Sequence, residues 1–338
     1  NLNYIMKKYN IKKISQINKN ELQEFYKNTF NNRNASLIKH YNWCYRLGYN
    51  NFEPLVLLID NKIIGHAGLI PADINIKGKN NSAIWFTDFA IVPEYRQQGF
   101  GKILTKEWMN ICPLQITYCN DSSLKVFKKV GWKVTFSTKR VIKPINYFKV
   151  TPFLKKIRIN FGDTLVRSLL KKKLEKYSAI KPIKINESFI TNISKVENEN
   201  CKNKSTYLIR DEHWFKWRLL DCPYREELFF FENDGDYLVA HIFNHKNLKR
   251  LNILYTFCKK QDDEILNMVF KWSIKNNIDF IWYLTNKKKN YSLFTYLFKK
   301  PLNFAYNSSE PKNLLALSNG FTNSEAIDSD TDFASMEN

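Results

Sequence analysis

Acidic residues are scarce in this 338-residue chain. Asp and Glu number 32 against 53 Lys and Arg, leaving a formal charge of +21 at neutral pH. Such an excess suits anionic substrates, nucleic acid or an acidic membrane surface. A composition rich in Lys, Asn and Ile also yields many surface lysines with no function, and that accounts for part of it. Cysteine is present but unpatterned: Cys44, Cys112, Cys119, Cys201, Cys222 and Cys258 form no Cys-x-x-Cys pair and stand at no zinc spacing from a histidine. This argues against a disulfide framework or zinc module and predicts reduced thiols in the cytoplasm. No apolar run approaches the roughly 18 residues of a membrane-spanning helix, and no secretory signal is visible. What is abundant is core-forming material, 44% hydrophobic and 15% aromatic, enough for two domains of ordinary size.

Residues 84–104, IWFTDFAIVPEYRQQGFGKIL, organise the rest. An apolar run from Ile84 to Val92, broken only by Thr87 and Asp88, stops at Pro93. A helical run follows from Lys102 to Met109. The pattern predicts strand, tight turn, helix. Gly99 and Gly101 let a ligand approach the backbone. The free amides and dipole of the helix N-terminus then favour an anion, here a phosphate or pyrophosphate. A dinucleotide fingerprint would need three glycines and a later acidic residue, and a P-loop would need Lys-Ser/Thr after its last glycine. Neither is present.

The turn resembles the acyl-CoA loop of the GNAT superfamily of N-acyltransferases, Arg/Gln-x-x-Gly-x-Gly/Ala after a strand. Arg96, Gly99 and Gly101 fit it, and Val92-Pro93-Glu94-Tyr95 is a typical lead-in. A second segment, 115–132, QITYCNDSSLKVFKKVGW, reads as strand, capping Asn120, helix and stop at Gly131. Asn120, Ser123, Phe127, Gly131 and Trp132 fall on the family's second ligand-facing segment. The resemblance implies acetyl-CoA or another acyl-CoA as co-substrate and no metal. It implies contacts from Ile91, Val92, Arg96, Gln97, Gln98, Gly99, Phe100, Gly101, Lys102, Asn120, Ser123 and Phe127. Where the family often has the Tyr that protonates the departing thiolate, this chain has Phe127, so that role is unassigned.

Along the rest of the first half, helices are expected around Glu21–Tyr26 and Ser36–Tyr45. Strands are expected at 55–60 and 63–70, with another strand and a polar turn in 71–82 and a strand pair around 133–142. Residues 149–177 hold nine Lys or Arg against Asp163 and Glu175. Their Phe153, Leu154, Ile157, Phe161, Leu165, Leu169 and Leu170 form one helical stripe. This is an interdomain helix with a solvated basic face or a peripheral contact with anionic lipid. The second half predicts strands at 228–232, 237–243, 250–257 and 278–286, with helices at 261–276 and 291–299. Tyr283, Asn286, Ser292, Leu293 and Tyr296 repeat the order of Tyr118, Asn120, Ser123, Leu124 and Phe127 along strand and helix. Between Phe257 and the next helix there is no glycine, so the second half lacks the phosphate loop. The expected fold is α/β (α+β), two GNAT-like domains with mostly antiparallel mixed sheets. These are an acyl-CoA domain at 1–148, a basic helical linker at 149–190 and a degenerate, acceptor-side domain at 191–338. The acidic stretch 318–338 is expected to be a mobile tail or to lie on the basic body.

The combination further resembles bacterial tandem-GNAT proteins of surface polysaccharide synthesis. The match rests on Trp85, Phe86, Asp88, Phe89, Tyr95 and Arg96, on Arg210, Trp217, Arg218 and Tyr224, and on Asp328-Ser329-Asp330. That resemblance implies acyl transfer to an amino sugar, commonly nucleotide-linked. Fem-type aminoacyltransferases also use two such domains, and a tRNA donor would suit the charge. The intact RQQGFG loop fits a CoA pyrophosphate better, so nucleic acid is not the expected partner. A protein or polyamine acetyltransferase is a third reading. An amine nucleophile needs a base. Asp88, a carboxylate in an apolar strand, is the first candidate, unless it serves a structural hydrogen bond. His66 is the second, and Tyr118 is a candidate acid. The carbonyl would be met by strand amides around Ile91 and Val92. The cluster Arg210, His213, Trp214, Trp217, Arg218 and Tyr224 suits acceptor binding, since aromatic faces stack on sugars or bases and Arg grips a diphosphate. The expected location is the cytoplasm, with 149–177 as a contact for the inner membrane face.

Overall fold

The computed structural model describes residues 8–30, 33–150, 160–245, 247–258, 264–285, 297–318 and residue 328. Strand β1 (Tyr9–Lys13) is followed by helices α1 (Lys19–Thr29) and α2 (Asn34–Cys44), then by strands β2 (Leu55–Ile59), β3 (Lys62–Ile76) and β4 (Lys79–Ile91). Helix α3 (Phe100–Met109), strand β5 (Leu114–Cys119), helix α4 (Asp121–Lys129) and strand β6 (Lys133–Pro144) complete the first half. Helices α5 (Tyr147–Val150) and α6 (Asn160–Leu174) lead to α7 (Glu187–Cys201), strand β7 (Thr206–Leu208) and helix α8 (Glu212–Phe215), which a π-type turn, Lys216–Leu220, extends. Then come β8 (Leu228–Asn233), β9 (Asp236–His245), β10 (Leu248–Phe257), α9 (Glu264–Lys275), β11 (Phe280–Thr285), β12 (Leu297–Ser308) and α10 (Pro311–Ser318).

The strands form one continuous sheet in the order β1-β2-β3-β4-β5-β12-β6-β11-β10-β9-β8, with β7 added to β3. The order is close to symmetric about the β12–β6 pair. In the first half β4 and β5 run parallel and β12 closes antiparallel to β5. In the second, β10 and β11 run parallel and β6 closes antiparallel to β11. Each half therefore receives its last strand from the other. A bulge repeats as well: β4 slips register between Thr87 and Ala90, and β10 between Ile253 and Tyr255.

Alternation sorts the side chains of the first half. Leu55, Leu57 and Ile59 of β2 pack with Leu104 and Trp108 of α3 and Phe127 of α4. Val56 and Leu58 pack on the other face with Tyr26 of α1 and Leu37 of α2. So α3 and α4 cover one face, and α1 and α2 cover the other. A shared core joins Trp85, Ile116 and Phe304 to Phe189, Trp214, Trp217, Phe230 and Tyr255.

Several expectations change. β3 runs unbroken through Pro71, the turn is Lys77–Gly78, and β4 starts at Lys79. The strand pair around 133–142 is the single strand β6, whose neighbours β11 and β12 come from far along the chain. Of the helix expected at 291–299, residues 291–296 lie outside the described residues and 297–299 are strand. Ladder bonds to β6 override local pattern there. Asn286, Ser292, Leu293 and Tyr296 also lie outside the described residues, as do Phe153, Leu154 and Ile157 and the side chains of Phe161 and Leu165. In the remaining stripe Leu170 packs inward and Leu169 is 61% exposed. No helix among the described residues is long and apolar enough to cross a membrane.

Candidate active site

Strands β4 and β5 pair only at Ile84–Gln115 and Trp85–Ile116. Beyond that point they splay, linked by Thr117 Oγ1 donating to the Phe86 carbonyl at 2.9 Å. Two helix N-termini stand at the opening, α3 after β4 and α4 after β5. Gly99 caps α3 with φ 90°, a left-handed conformation that suits glycine. No atom lies within 4 Å of where its Cβ would stand. The amides of Gln98, Gly99, Phe100 and Gly101 have no hydrogen-bond partner among the described residues. Such a row of free donors at a helix start is an anion cradle.

The side chains around it brace the loop. Arg96 Nε donates to the Ile91 carbonyl and Gln98 Nε2 to the Glu94 carbonyl, both at 2.8 Å. Gln97 adopts φ 63° and is exposed, as is Lys102. Phe100 is buried in the core. Asn120 accepts from the Ser123 amide at 2.9 Å and caps α4. Phe127 is buried against Phe86 and Trp132, with ring centroids at 5.3 and 4.6 Å. It serves the core beneath the cleft rather than its surface.

On the opposite face of the sheet, the bulge of β4 creates a polar cluster. Asp88 takes φ 45°, rare for a residue with a side chain. Its carboxylate, 3% exposed, meets Arg33 Nε at 3.2 Å and accepts from Tyr45 Oη at 3.1 Å. Burial, and after it the Asp88 charge, hold the Tyr45 hydroxyl well above its ordinary pKa, so it stays a donor. His66 is fully buried, with Nδ1 2.8 Å from the Asp88 carbonyl and Nε2 3.2 Å from Tyr26 Oη. Burial lowers its pKa to about 4. A carbonyl can only accept, so Nδ1 carries the proton and Nε2 accepts from Tyr26. His66 thus fixes the bulge through its backbone.

The neutral imidazole carries a stability signature. The unfolded ring takes its proton near pH 6.5 and the folded ring near pH 4, so the unfolded state binds more protons in between. Stability falls as pH drops through that window, by about 3 kcal/mol once both values are passed. The His66→Gln variant should lose this step. Superimposable pH profiles of unfolding for the two proteins would contradict the buried neutral ring.

The two amides expected at the carbonyl site differ. The Val92 amide donates to the Ile64 carbonyl at 2.9 Å, which makes Ile64–Val92 the bonded pair, so Ile91, opposite Gly65, turns its amide away from β3 to the side where β5 splays off. At the bulge, Asp88 and Phe89 together oppose Ala67, so one extra residue is left outside the ladder.

Residues 16–132 match the model of the Acetyltransferase (GNAT) family. Solved structures align over most of the chain. A GCN5-related N-acetyltransferase from Anabaena variabilis is 14% identical, with 88% of this chain and 72% of that one covered and a TM-score of 0.57. Saccharomyces cerevisiae N-myristoyltransferase with bound myristoyl-CoA is 14% identical, with 88% and 82% covered and a TM-score of 0.58. A probable N-acyltransferase from Enterococcus faecalis is 14% identical, with 89% and 72% covered and a TM-score of 0.55. The chain has the GNAT fold. No curated protein matches it at a comparable threshold.

Within that fold the aromatic segment of the second half divides in two. Trp217, Arg218 and Tyr224 reach the first half. Trp43 Nε1 donates to the Trp217 carbonyl at 2.8 Å, Trp217 Nε1 donates back to the Trp43 carbonyl at 3.0 Å, and Tyr224 Oη donates to Ser36 Oγ at 2.8 Å. The Arg218 guanidinium lies 5.2 Å from the Trp43 ring. These contacts put the three residues beside α2, whose N-terminal neighbour Arg33 faces Asp88. Arg210 and Trp214 belong to the interior. Arg210, 2% exposed, donates to Glu197 and Asp328 at 2.6 Å each. Burial opposes its charge, but Asp328 and Glu197 outweigh that and raise its pKa. His213 is exposed. Tyr118 packs between Trp85 and Phe304, at 5.4 and 5.6 Å, on the sheet face away from α3 and α4. Among the described residues no three or more His, Cys, Asp or Glu cluster as metal ligands.

The contacts that sequence reading did not anticipate are Arg33, Tyr45 and Tyr26 around Asp88. Nothing in their local pattern separates them from core. Of the two expectations for the acidic stretch, Asp328 follows the one that lays it on the basic body: it is buried against Arg210, 118 positions away.

Proposed function

We propose that the chain is an acyl-CoA-dependent N-acyltransferase that moves an acetyl group to the amine of an amino sugar, nucleotide-linked, in bacterial surface-glycan synthesis. The observation that carries the acyl-CoA part is the row of partnerless amides at 98–101 beside the β4–β5 splay. The splay joins the two faces of the sheet. Pyrophosphate sits at the α3 N-terminus on one face, the thioester threads the opening, and the acceptor arrives from the α1–α2 face where Asp88 stands. The residues present fit that ligand: free backbone donors for phosphate, the Ile91 strand amide on the splay side for the thioester oxygen, and a buried carboxylate on the acceptor side.

Both substrates bind together. The amine nitrogen attacks the thioester carbonyl carbon, the Ile91 strand amide stabilises the oxyanion, the carbon–sulfur bond breaks, and the amine's proton balances the departing thiolate. Asp88 is the base. His66 is a positioning residue, since its nitrogens are committed within the fold. Tyr224, half-buried beside α2, supports the amino-sugar part by its aromatic face, whereas Trp217 and Arg218 are buried behind it.

Replacing Asp88 by Asn should lower turnover about 10²-fold or more with acyl-CoA affinity retained. A turnover near wild type from about pH 6 to 9 would reduce Asp88 to bracing Arg33. The function itself is tested by mass spectrometry of acyl-CoAs against a panel of free and nucleotide-linked amino sugars. An acylated sugar with released CoA is expected. Acylation of polyamines or peptide lysines instead would replace the acceptor class.

A further inference from the structure

A cavity of about 350 Å³ lies between α2 and the second half's sheet, lined among others by Lys39, His40, Tyr224, Glu227, His241 and Phe243. It sits over the part of β9 and β10 that corresponds to the Asp88 region of β3 and β4. His241 pairs with Asn252 next to Ala240–Ile253, the pair before the β10 bulge that matches Gly68–Thr87 before the β4 bulge. The second half thus keeps a polar hollow where the first half has its reacting end.

His241 is 2% exposed, and its Nε2 is 2.9 Å from Glu227 Oε2. Burial lowers its pKa, with Glu227 pulling the other way, so the ring is neutral at neutral pH. A carboxylate can only accept, so Nε2 carries the proton and Nδ1 is a bare acceptor. That Nδ1 is buried with no hydrogen-bond partner, and so are both amide atoms of Asn252 beside it. An unmet buried acceptor is costly unless a ligand supplies the donor. The donor must be O–H or N–H.

The rest of the lining restricts the class further. Tyr224 stands edge-on to His40 at 5.3 Å, and Phe243 edge-on to His241 at 4.2 Å. These rings offer apolar faces to a flat or ring-shaped ligand. Lys39, exposed at the rim, adds a cation. Arg33, on Asp88, is the N-cap of α2, and His40 lies at the kink of the same helix. One sugar-containing molecule can therefore span from the cavity to the reacting end. Tyr224 Oη on Ser36 links the two places.

We infer that this cavity holds a hydroxyl- or amine-bearing sugar moiety of the acceptor, with Nδ1 of His241 accepting from it and Lys39 facing its anionic group. The inference rests on the amino-sugar reading above. It is tested by calorimetry and saturation-transfer NMR with glucosamine, galactosamine and uridine-diphosphate-linked glucosamine as probes. Acetyl-CoA affinity is measured separately on each protein. At least one sugar should bind wild type and Gly99→Glu alike. His241→Phe should weaken it at least tenfold while acetyl-CoA affinity holds. Lys39→Ala, at an exposed position that leaves the fold intact, should weaken the nucleotide-linked probe more than the free sugars. No sugar binding by wild type, or binding unchanged in both variants, would overturn the inference. Loss of acetyl-CoA binding in wild type would instead defeat the acyltransferase reading.

Discussion

A Gly99→Glu protein should fold and fail to bind acyl-CoA, with the dissociation constant raised about 100-fold or more, roughly 3 kcal/mol. Gly99 holds φ 90°, and the space where a Cβ would stand is open for 4 Å around. The new side chain meets no steric barrier within the protein. It projects into the space in front of α3 that the free amides face. A carboxylate there repels a pyrophosphate and competes for the same donors. The left-handed backbone adds about 1–2 kcal/mol of local strain for a residue with a Cβ. Gly99→Asn separates the two effects, because Asn tolerates that conformation and brings no charge. Calorimetry with acetyl-CoA should show Asn far milder than Glu. Equal losses in both variants would assign the effect to backbone distortion.

Arg210→Ala should be the most damaging single change to stability, costing about 3–5 kcal/mol by urea denaturation. The guanidinium neutralises Glu197 of α7 and Asp328 near the C-terminus, and Glu197 also accepts from Tyr255 Oη at 2.9 Å. Removing the cation leaves two buried carboxylates facing each other without compensation. Acetyl-CoA affinity of the protein still folded should be unchanged, since the cluster lies in the second half's interior. A variant of normal stability whose acceptor Michaelis constant rises would return Arg210 to the acceptor site.

Legibility in the sequence followed the range of the interactions. The loop at 96–101 was readable because its requirements are local: a left-handed glycine, a strand before it and a helix after it. The cap at Asn120, accepting from an amide three residues on, is local as well. The exchange of β6 and β12 was not readable. Residues 297–308, LFKKPLNFAYNS, have a proline and an interrupted pattern, and they become strand by lying between β5 and β6. Arg210 looked like a ligand-binding arginine because its second carboxylate partner lies 118 residues later. The Val92 amide looked available because its acceptor, the Ile64 carbonyl, belongs to another strand. Asp88 stands out in the sequence as a carboxylate in an apolar strand. Only its φ of 45° shows that the anomaly is a bulge.

Hydrogen exchange with and without acetyl-CoA reads the central claim directly, that acyl-CoA is held by the first half's loop at the β4–β5 splay. The amides of Gln98 to Gly101 lack partners and should exchange quickly in the free protein. Acetyl-CoA should protect them strongly, together with the start of α3, and leave the segment after β10 unchanged. Protection confined to the second half, or none at 98–101 at saturating acetyl-CoA, would contradict the account.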